Sequence, residues 1–367
     1  MSERLTMHDK TGNKVYDIVI ERDFRRLKEE LKALNTENRK VCIVTETTVD
    51  KIYGDEALNI FKEISKEAYK FVFPAGEANK NLYTVKDVYT FLIKRHFDRK
   101  DLLIALGGGV VGDLTGYTAA TYLRGIDFVQ IPTTLLAQSD SSVGGKTGVD
   151  FDGYKNMVGA FYQPKLVYMS TDTLKSLPEK EYLSGMGEVI KHGLIRDKSF
   201  YLWLKDNSEK ILARDDAALE YMAKTNCSIK RAVVENDFKE QGERAHLNFG
   251  HTLGHAIEKY VYGDRLHGEC VSIGMNGAAY ISMKKGYISK EVYKDILETI
   301  TAFKLPVHEN RIDIDNILEA TVNDKKMEAG KLKFIVLTAV GEADIDMHVG
   351  VKDMTDALKC ILGEYHE

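Results

Sequence analysis

Four of the chain's ten histidines fall between Arg244 and Glu269, in RAHLNFGHTLGHAIEKYVYGDRLHGE, a density that points to imidazole chemistry. His251 and His255 stand four residues apart, which puts both side chains on one face of a helix, and His267 follows a short glycine-containing break. A catalytic divalent metal takes three protein ligands from His and carboxylate and keeps one position open, and this stretch could supply two or three of them. Upstream, GMGEVIKH places Glu188 and Lys191 three residues apart, on one helical face. On a surface such a pair is worth under about 1 kcal/mol. Its neighbours Gly185, Gly187, Val189 and Ile190, however, suit a packed setting. A buried carboxylate must be paired or bound to metal, so Glu188 is the natural third ligand. Taken singly, His255 and His267 read better as hydrogen-bonded structural histidines, and it is the density of histidines that brings the functional reading level.

A second set of residues suits phosphate. LLIALGGGVVGDLTGYTAATYL spaces Gly107, Gly109 and Gly112 as G-x-G-x-x-G after a strand and before a helix, where backbone N–H groups and the helix dipole favour a pyrophosphate. A tight strand-to-helix turn would look the same. The acidic partner expected about 20 residues on is missing, since Asp127 precedes its strand, and the unit is not the first βαβ. PAGEANK, residues 74–80, is a further glycine-containing loop after a strand. The run PTTLLAQSDSSVGGKTGVDFDGYKNMVGAFYQP from Pro132 is too polar to be core; Gly144 and Gly145 would let a ligand approach, with Lys146 as a point charge. A solvated surface loop is the alternative. GGKT lacks the GxxxxGK[ST] spacing of a P-loop, so a Walker site is excluded.

The elements that must position these residues divide the chain in two. From Lys14 to about Ser170 the runs VYDIVI, VCIVT, YKFVF, LLIAL, FVQI and LVYM alternate with helix-length segments, which indicates βαβ units and a mainly parallel sheet. Helical periodicity dominates from Lys180, with helices expected over 199–212, 216–235 and 289–303 and along the face Val271, Met275, Ala278, Ser282. Two apolar runs around Gly341, within Lys331–Val349, read as a β-hairpin before a last helix. The expected fold is therefore α/β: a Rossmann-like parallel-sheet domain over 1–178 and a mainly α-helical domain over 179–367. A net charge of −5 excludes binding of nucleic acid or a membrane surface through bulk charge. No apolar run is long enough for a signal peptide or a spanning helix, so a cytoplasmic location is expected. Cys42, Cys227, Cys270 and Cys360 form no CxxC pair and are expected to be buried small hydrophobes.

Taken together and in order, GGGVVGD, RGIDFVQIPTTLLAQSDSSVGGKT, YKNMVGAFYQP, GEVIKHG, LNFGHTLGHAIE and HGE resemble the 3-dehydroquinate synthase family from about Val41 to the final helix. The resemblance implies an N-terminal NAD-binding α/β domain, a C-terminal helical metal domain and a homodimer. It implies Glu188, His251 and His267 as ligands of a divalent metal, zinc or cobalt, and moves His255 to the substrate side as a proton shuttle. NAD contacts would fall on Gly76, Glu77, Lys80, Gly108, Gly109, Val110, Val111, Gly112, Asp113, Thr133, Thr134, Lys155 and Thr173, with Lys146 close by. Substrate contacts would fall on Arg124, Asp140, Lys146, Asn156, Lys191, Lys230, Arg244, Asn248 and Lys326, with Arg124 reaching a neighbouring subunit's site. Ser139, Gly187 and Val149-Asp150 depart from the family's common Val, Ala and Val-Asn, which touches local packing and removes no charged group.

The chemistry so implied converts 3-deoxy-D-arabino-heptulosonate 7-phosphate to 3-dehydroquinate and phosphate, a step of the shikimate pathway. NAD transiently oxidises the C5 hydroxyl, phosphate is eliminated, the hydride returns, and an intramolecular aldol step closes the ring. A substrate bearing carboxylate and phosphate explains why an acidic chain would gather Lys and Arg locally. The alternatives are a secondary-metabolism sugar-phosphate cyclase, disfavoured by SSVGGKT, a metal-dependent alcohol dehydrogenase of similar fold, and a non-enzymatic scaffold.

Overall fold

The structure, a computed structural model, describes residues 3–238, 242–322, 327–328 and 331–364. It divides into two compact units, Met1–Leu177 with Leu219–Arg231, and Pro178–Ala218 with Ala232–Glu367.

The first unit is built on β1 (Glu3–His8), β2 (Lys14–Glu21), β3 (Lys40–Glu46), β4 (Glu67–Phe73), β5 (Leu102–Gly107), β6 (Asp127–Pro132), β7 (Lys146–Phe151), β8 (Tyr154–Phe161) and β9 (Leu166–Ser170). Seven of them form one sheet in the order β1-β2-β9-β6-β5-β3-β4, parallel except for the antiparallel edge pair β1-β2. Central strands of such a sheet are covered on both faces and read as unbroken apolar runs, as Val41–Val44 and Leu102–Leu106 do. Alternate residues face opposite ways. Val41, Ile43 and Ile104 pack with α1 (Leu27–Lys32), α2 (Thr47–Val49) and α3 (Asp55–Ile64), while Cys42, Val44 and Leu103 pack with α4 (Leu82–Lys94) and α5 (Gly109–Thr121). The short α6 (Thr173–Ser176) follows β9.

The polar run after Pro132 differs from its reading as a segment too polar for the interior. Ala137, Gln138 and Ser139 are buried in a π-type turn over Ala137–Ser141, flanked by the buried Leu135, Ser142 and Val143, and the segment leads into the antiparallel hairpin β7-β8. The Gln138 amide nitrogen is satisfied internally: Nε2 donates to Pro132 O, Ser170 O and Thr173 Oγ1. Hydrogen bonding of this kind removes most of the cost of burial, and composition alone does not reveal it.

The second unit holds α7 (Glu179–Arg196), α8 (Lys198–Asp206), α9 (Ser208–Leu212), the ends of α10 (Asp216–Asn236), α11 (His251–Tyr260), α12 (His267–Lys284), α13 (Lys290–Ala302), α14 (Ile314–Val322) and α15 (Val351–Ile361). Strands β10 (Met327–Glu328) and β11 (Lys331–Leu332) pair, and β12 (Phe334–Ala339) with β13 (Glu342–Asp346) forms the hairpin expected around Gly341. The helix expected over 199–212 breaks at Asn207, whose N–H and Nδ2 both donate to Trp203 O and so end α8. The apolar stripe expected on α12 widens into burial all round. Besides Val271, Met275, Ala278 and Ser282, the intervening Ile273, Asn276, Ala279 and Tyr280 are buried. Asn276 and Ser272 are accommodated there by donating to Val307 O and Pro306 O. All four cysteines are buried and unpaired, as expected. Among the described residues no helix is long and apolar enough to cross a membrane.

Candidate metal centre and nucleotide cradle

In the second unit three helices converge on one carboxylate. Glu188 and Lys191 lie on one face of α7 and are both fully buried, and the Lys191 ammonium is ion-paired with Glu188 Oε2. Burial opposes charge on Glu188, but Lys191 and the two imidazoles beside it hold the carboxyl well below the usual carboxylate range. The other oxygen, Oε1, stands 3.4 Å from His251 Nε2 and 3.6 Å from His267 Nε2. These are the first residues of α11 and α12.

The far nitrogens define what those contacts are. His251 Nδ1 lies 3.1 Å from Phe249 O, and His267 Nδ1 lies 2.9 Å from Glu258 Oε2. A carbonyl and a carboxylate only accept, so each Nδ1 donates, and in the neutral rings both Nε2 lone pairs face Glu188 Oε1. That oxygen is buried and accepts no hydrogen bond among the described residues. Three lone pairs converging in a buried place call for a cation. Two bonds of about 2.1 Å at a tetrahedral angle hold their donor atoms roughly 3.4 Å apart, which matches the spacing here. The residues therefore fit a divalent metal.

Close helix approach makes this possible. Gly250 enters α11 with φ +78, and a Cβ there would meet Met275 N at 2.8 Å. On Gly268 a Cβ would stand 1.8 Å from Ser184 O, so α12 lies backbone to backbone against α7. His255, one turn after His251, is exposed, with its ring centroid 5.0 Å from that of His251 and 5.6 Å from that of His267. The three imidazoles also form a group with nitrogens within 4.8 Å of one another. Arg244 and Asn248 sit on the 3-10 turn Glu243–Asn248, just before α11. Arg244 is buried and its Nη1 donates to Phe238 O, while Asn248 is half-buried. Lys326 lies outside the described residues.

In the first unit Gly107 ends β5, Gly108 precedes α5 and Gly109 begins it. A Cβ on Gly108 would meet Thr134 Cγ2 at 2.9 Å, so the turn packs tightly while the first amides of α5 stay at its mouth. Val110 is half-buried and Val111 and Gly112 are buried. Lys80 is nearly buried; its Nζ reaches Asp113 Oδ2 at 2.7 Å and Asn156 Oδ1 at 2.6 Å. Burial would lower the Lys80 pKa, but the charges of Asp113 and Glu77 overcome it and raise the ammonium above its ordinary value. Asp150 latches hairpin to loop, donating from N to Lys80 O and accepting at Oδ1 from Asn156 N. The glycine turn, the N-terminal amides of α5 and this buried cation suit the pyrophosphate of a dinucleotide.

The remaining assigned residues of this unit are spread. Gly76 (φ +108) leads the short turn that holds Glu77, with open space at its Cα. Thr133 is buried and its N donates to Gly107 O, whereas Thr134 is half-buried. Lys146 and Lys155 are exposed on the hairpin. Thr173 is buried, and its hydroxyl donates to Ser170 O. Lys230, on α10, pairs with Asp140 Oδ1 at 2.5 Å. Arg124 is exposed and left-handed (φ +68), as is Leu123 before it (φ +51). Sequence reasoning left out Glu258; its only signal is a place two helical turns after His251.

One unit is a parallel sheet with a glycine turn after β5, and the other is helical and bears a carboxylate and two imidazoles suited to a metal. The fold is shared: 2-epi-5-epi-valiolone synthase from Streptomyces hygroscopicus, solved with NAD+ and Zn2+ bound, superposes with a TM-score of 0.88 over 96% of this chain and 98% of its own, at 23% identity. The family models named 3-dehydroquinate synthase N-terminal and C-terminal match residues 70–184 and 185–327. The 3-dehydroquinate synthases of Acetivibrio thermocellus and Ruminiclostridium cellulolyticum are 48% and 46% identical, covering 95% and 89% of this chain and 97% and 91% of their own lengths. The chain belongs to the 3-dehydroquinate synthase family.

Proposed function

We propose that this protein converts 3-deoxy-D-arabino-heptulosonate 7-phosphate to 3-dehydroquinate and phosphate with NAD and one divalent metal, acting in the shikimate pathway. The observation that carries the reading is the convergence of Glu188 Oε1 with the Nε2 atoms of His251 and His267 in a member of this family. When bound, NAD would take a hydride from the substrate and later return it, and the metal would supply Lewis acidity toward the substrate hydroxyl. The chain's own residues do the rest. Lys191 neutralises the second oxygen of Glu188, which leaves Oε1 as the donor. His255, exposed and one turn from His251, takes and returns a proton near neutral pH. Lys146, Asn156 and Arg124 are assigned to the phosphate, and Arg244 with Lys230 or Lys191 to the carboxylate. Lys326 is kept as a substrate contact on sequence alone.

The first domain, 1–178, is assigned to NAD and the second, 179–367, to metal and substrate. Residues of the Gly76–Lys80 loop, the Gly108–Asp113 turn, Thr133, Thr134, Lys155 and Thr173 are assigned to the dinucleotide. A cytoplasmic homodimer is part of the proposal. The exposed, left-handed Leu123-Arg124 pair supports it, since backbone strain of about 1–3 kcal/mol is retained where it presents a functional side chain.

The test is phosphate release from the heptulosonate phosphate by metal-loaded protein with catalytic NAD. Stoichiometric release without net NADH is expected. NADH appearing one-for-one with product would indicate a dehydrogenase, and no release would reject the activity.

A further inference from the structure

The two imidazoles of the metal cradle are oriented in different ways. His251 Nδ1 meets a neutral backbone carbonyl, Phe249 O, at 3.1 Å, whereas His267 Nδ1 meets the Glu258 carboxylate at 2.9 Å. Glu258 is seven residues after His251 on α11, so it shares that residue's face and reaches the first residue of α12. Its side chain is only 13% exposed, and the contact is direct. A carboxylate at this atom does two things. It fixes the tautomer that leaves Nε2 unprotonated toward Glu188 Oε1, 3.6 Å away, and its charge draws on the N–H bond and makes Nε2 a stronger donor. Phe249 O can do the first for His251 but brings no charge.

We propose that Glu258 is a positioning residue of the metal centre, acting through His267 to set that ring's tautomer and donor strength and thereby the affinity for the metal. It touches neither metal nor substrate. The inference rests on the metal reading above but not on the reaction. Outer-shell partners of metal-bound histidines are worth about 10- to 100-fold in metal affinity. A Gln at this position keeps the acceptor oxygen and loses the charge, Ala loses both, and Asp keeps the charge on a shorter arm.

The experiment measures zinc and cobalt dissociation constants of the full chain by chelator competition, with the visible absorption of the cobalt form and the unfolding temperature of the metal-free form. Expected is a 10- to 100-fold weaker metal in Glu258→Gln, a larger loss in Glu258→Ala and a partial return in Glu258→Asp. The cobalt band should shift, and metal-free unfolding should stay within about 3 °C of the parent. Affinity within twofold of the parent in both Gln and Ala variants overturns the proposal. So does a Gln variant whose metal-free form is destabilised while its metal affinity is unchanged, because that is a structural contact. If the Gln variant does not fold, the Asp variant decides: affinity no better than that of Ala overturns it. Glu188→Gln is measured alongside. If it too binds metal like the parent, the metal centre itself is wrong; if it loses metal while the Glu258 variants do not, only the role of Glu258 fails.

Discussion

Replacing Gly268 by Ala tests whether the metal centre depends on the contact of α12 with α7. The new Cβ would stand 1.8 Å from Ser184 O and 2.6 Å from its carbonyl carbon, both backbone atoms that no rotamer change can move. Reaching even 3.0 Å requires the two helices to part by about 1.2 Å, several times the roughly 0.2 Å within which metal–ligand distances are held. His267 is the preceding residue and Glu188 lies one turn after Ser184, so the displacement falls on the 3.6 Å separation of Glu188 Oε1 and His267 Nε2. Overpacking of this kind costs about 1–3 kcal/mol of stability, occasionally more. We expect Gly268→Ala to bind zinc or cobalt more than about 100-fold more weakly, beyond the 10- to 100-fold typical of outer-shell changes. Gly187→Ala, whose Cβ would lie 2.6 Å from Gly268 O, needs a much smaller retreat and serves as the graded control. Chelator competition with unfolding in EDTA separates affinity from stability. A folded Gly268→Ala protein holding metal within threefold of the parent, or a Gly187→Ala protein losing more than Gly268→Ala, would refute the reasoning.

Two further expectations concern single side chains. His251→Ala should lose both metal and activity, whereas His255→Ala should keep the metal and lose most of the rate; metal analysis beside kcat checks this, and equal metal loss in both would mean the two roles are misassigned. Glu309 accepts from Arg311 Nε and Nη2 at 2.8 and 2.9 Å and from Arg265 Nε at 3.0 Å. The Arg311 hydrogen bonds, together with the one from Arg265, outweigh burial and depress its carboxyl from 4.5 to about 2. Its stabilisation is therefore complete above pH 4.5 and lost as pH falls toward 2. Glu309→Gln should be less stable than the parent at pH 7, and denaturant titrations should show that gap closing as the pH drops below about 4. A gap independent of pH would contradict the depressed pKa.

Much of this architecture is written locally. Val41–Val44 and Leu102–Leu106 announce buried parallel strands because a strand covered on both faces needs apolar residues at every position. The break after Gly107 is legible because a strand passing straight into a helix needs glycine at the turn. The packed neighbours of Glu188 announced a buried carboxylate, which burial obliges to find partners. The break at Asn207 was not legible, since it comes from one side chain and its own N–H sharing the Trp203 carbonyl. Nor was the interior position of Gln138, whose three acceptors lie on segments up to 35 residues away.

The sequence by itself determined the alternation of strands and helices, the family, and which residue types the chemistry has available. Helical spacing pairs His251 with His255, because it sees only one face of one helix. Which atoms meet was decided by the packing of α7, α11 and α12. Their glycines bring Glu188 Oε1 to Nε2 of His251 and of His267, and Glu258 to the far nitrogen of His267. A cation needs donors converging from several directions within a few ångströms, and residues from three separate helices meet that condition only after the chain has packed.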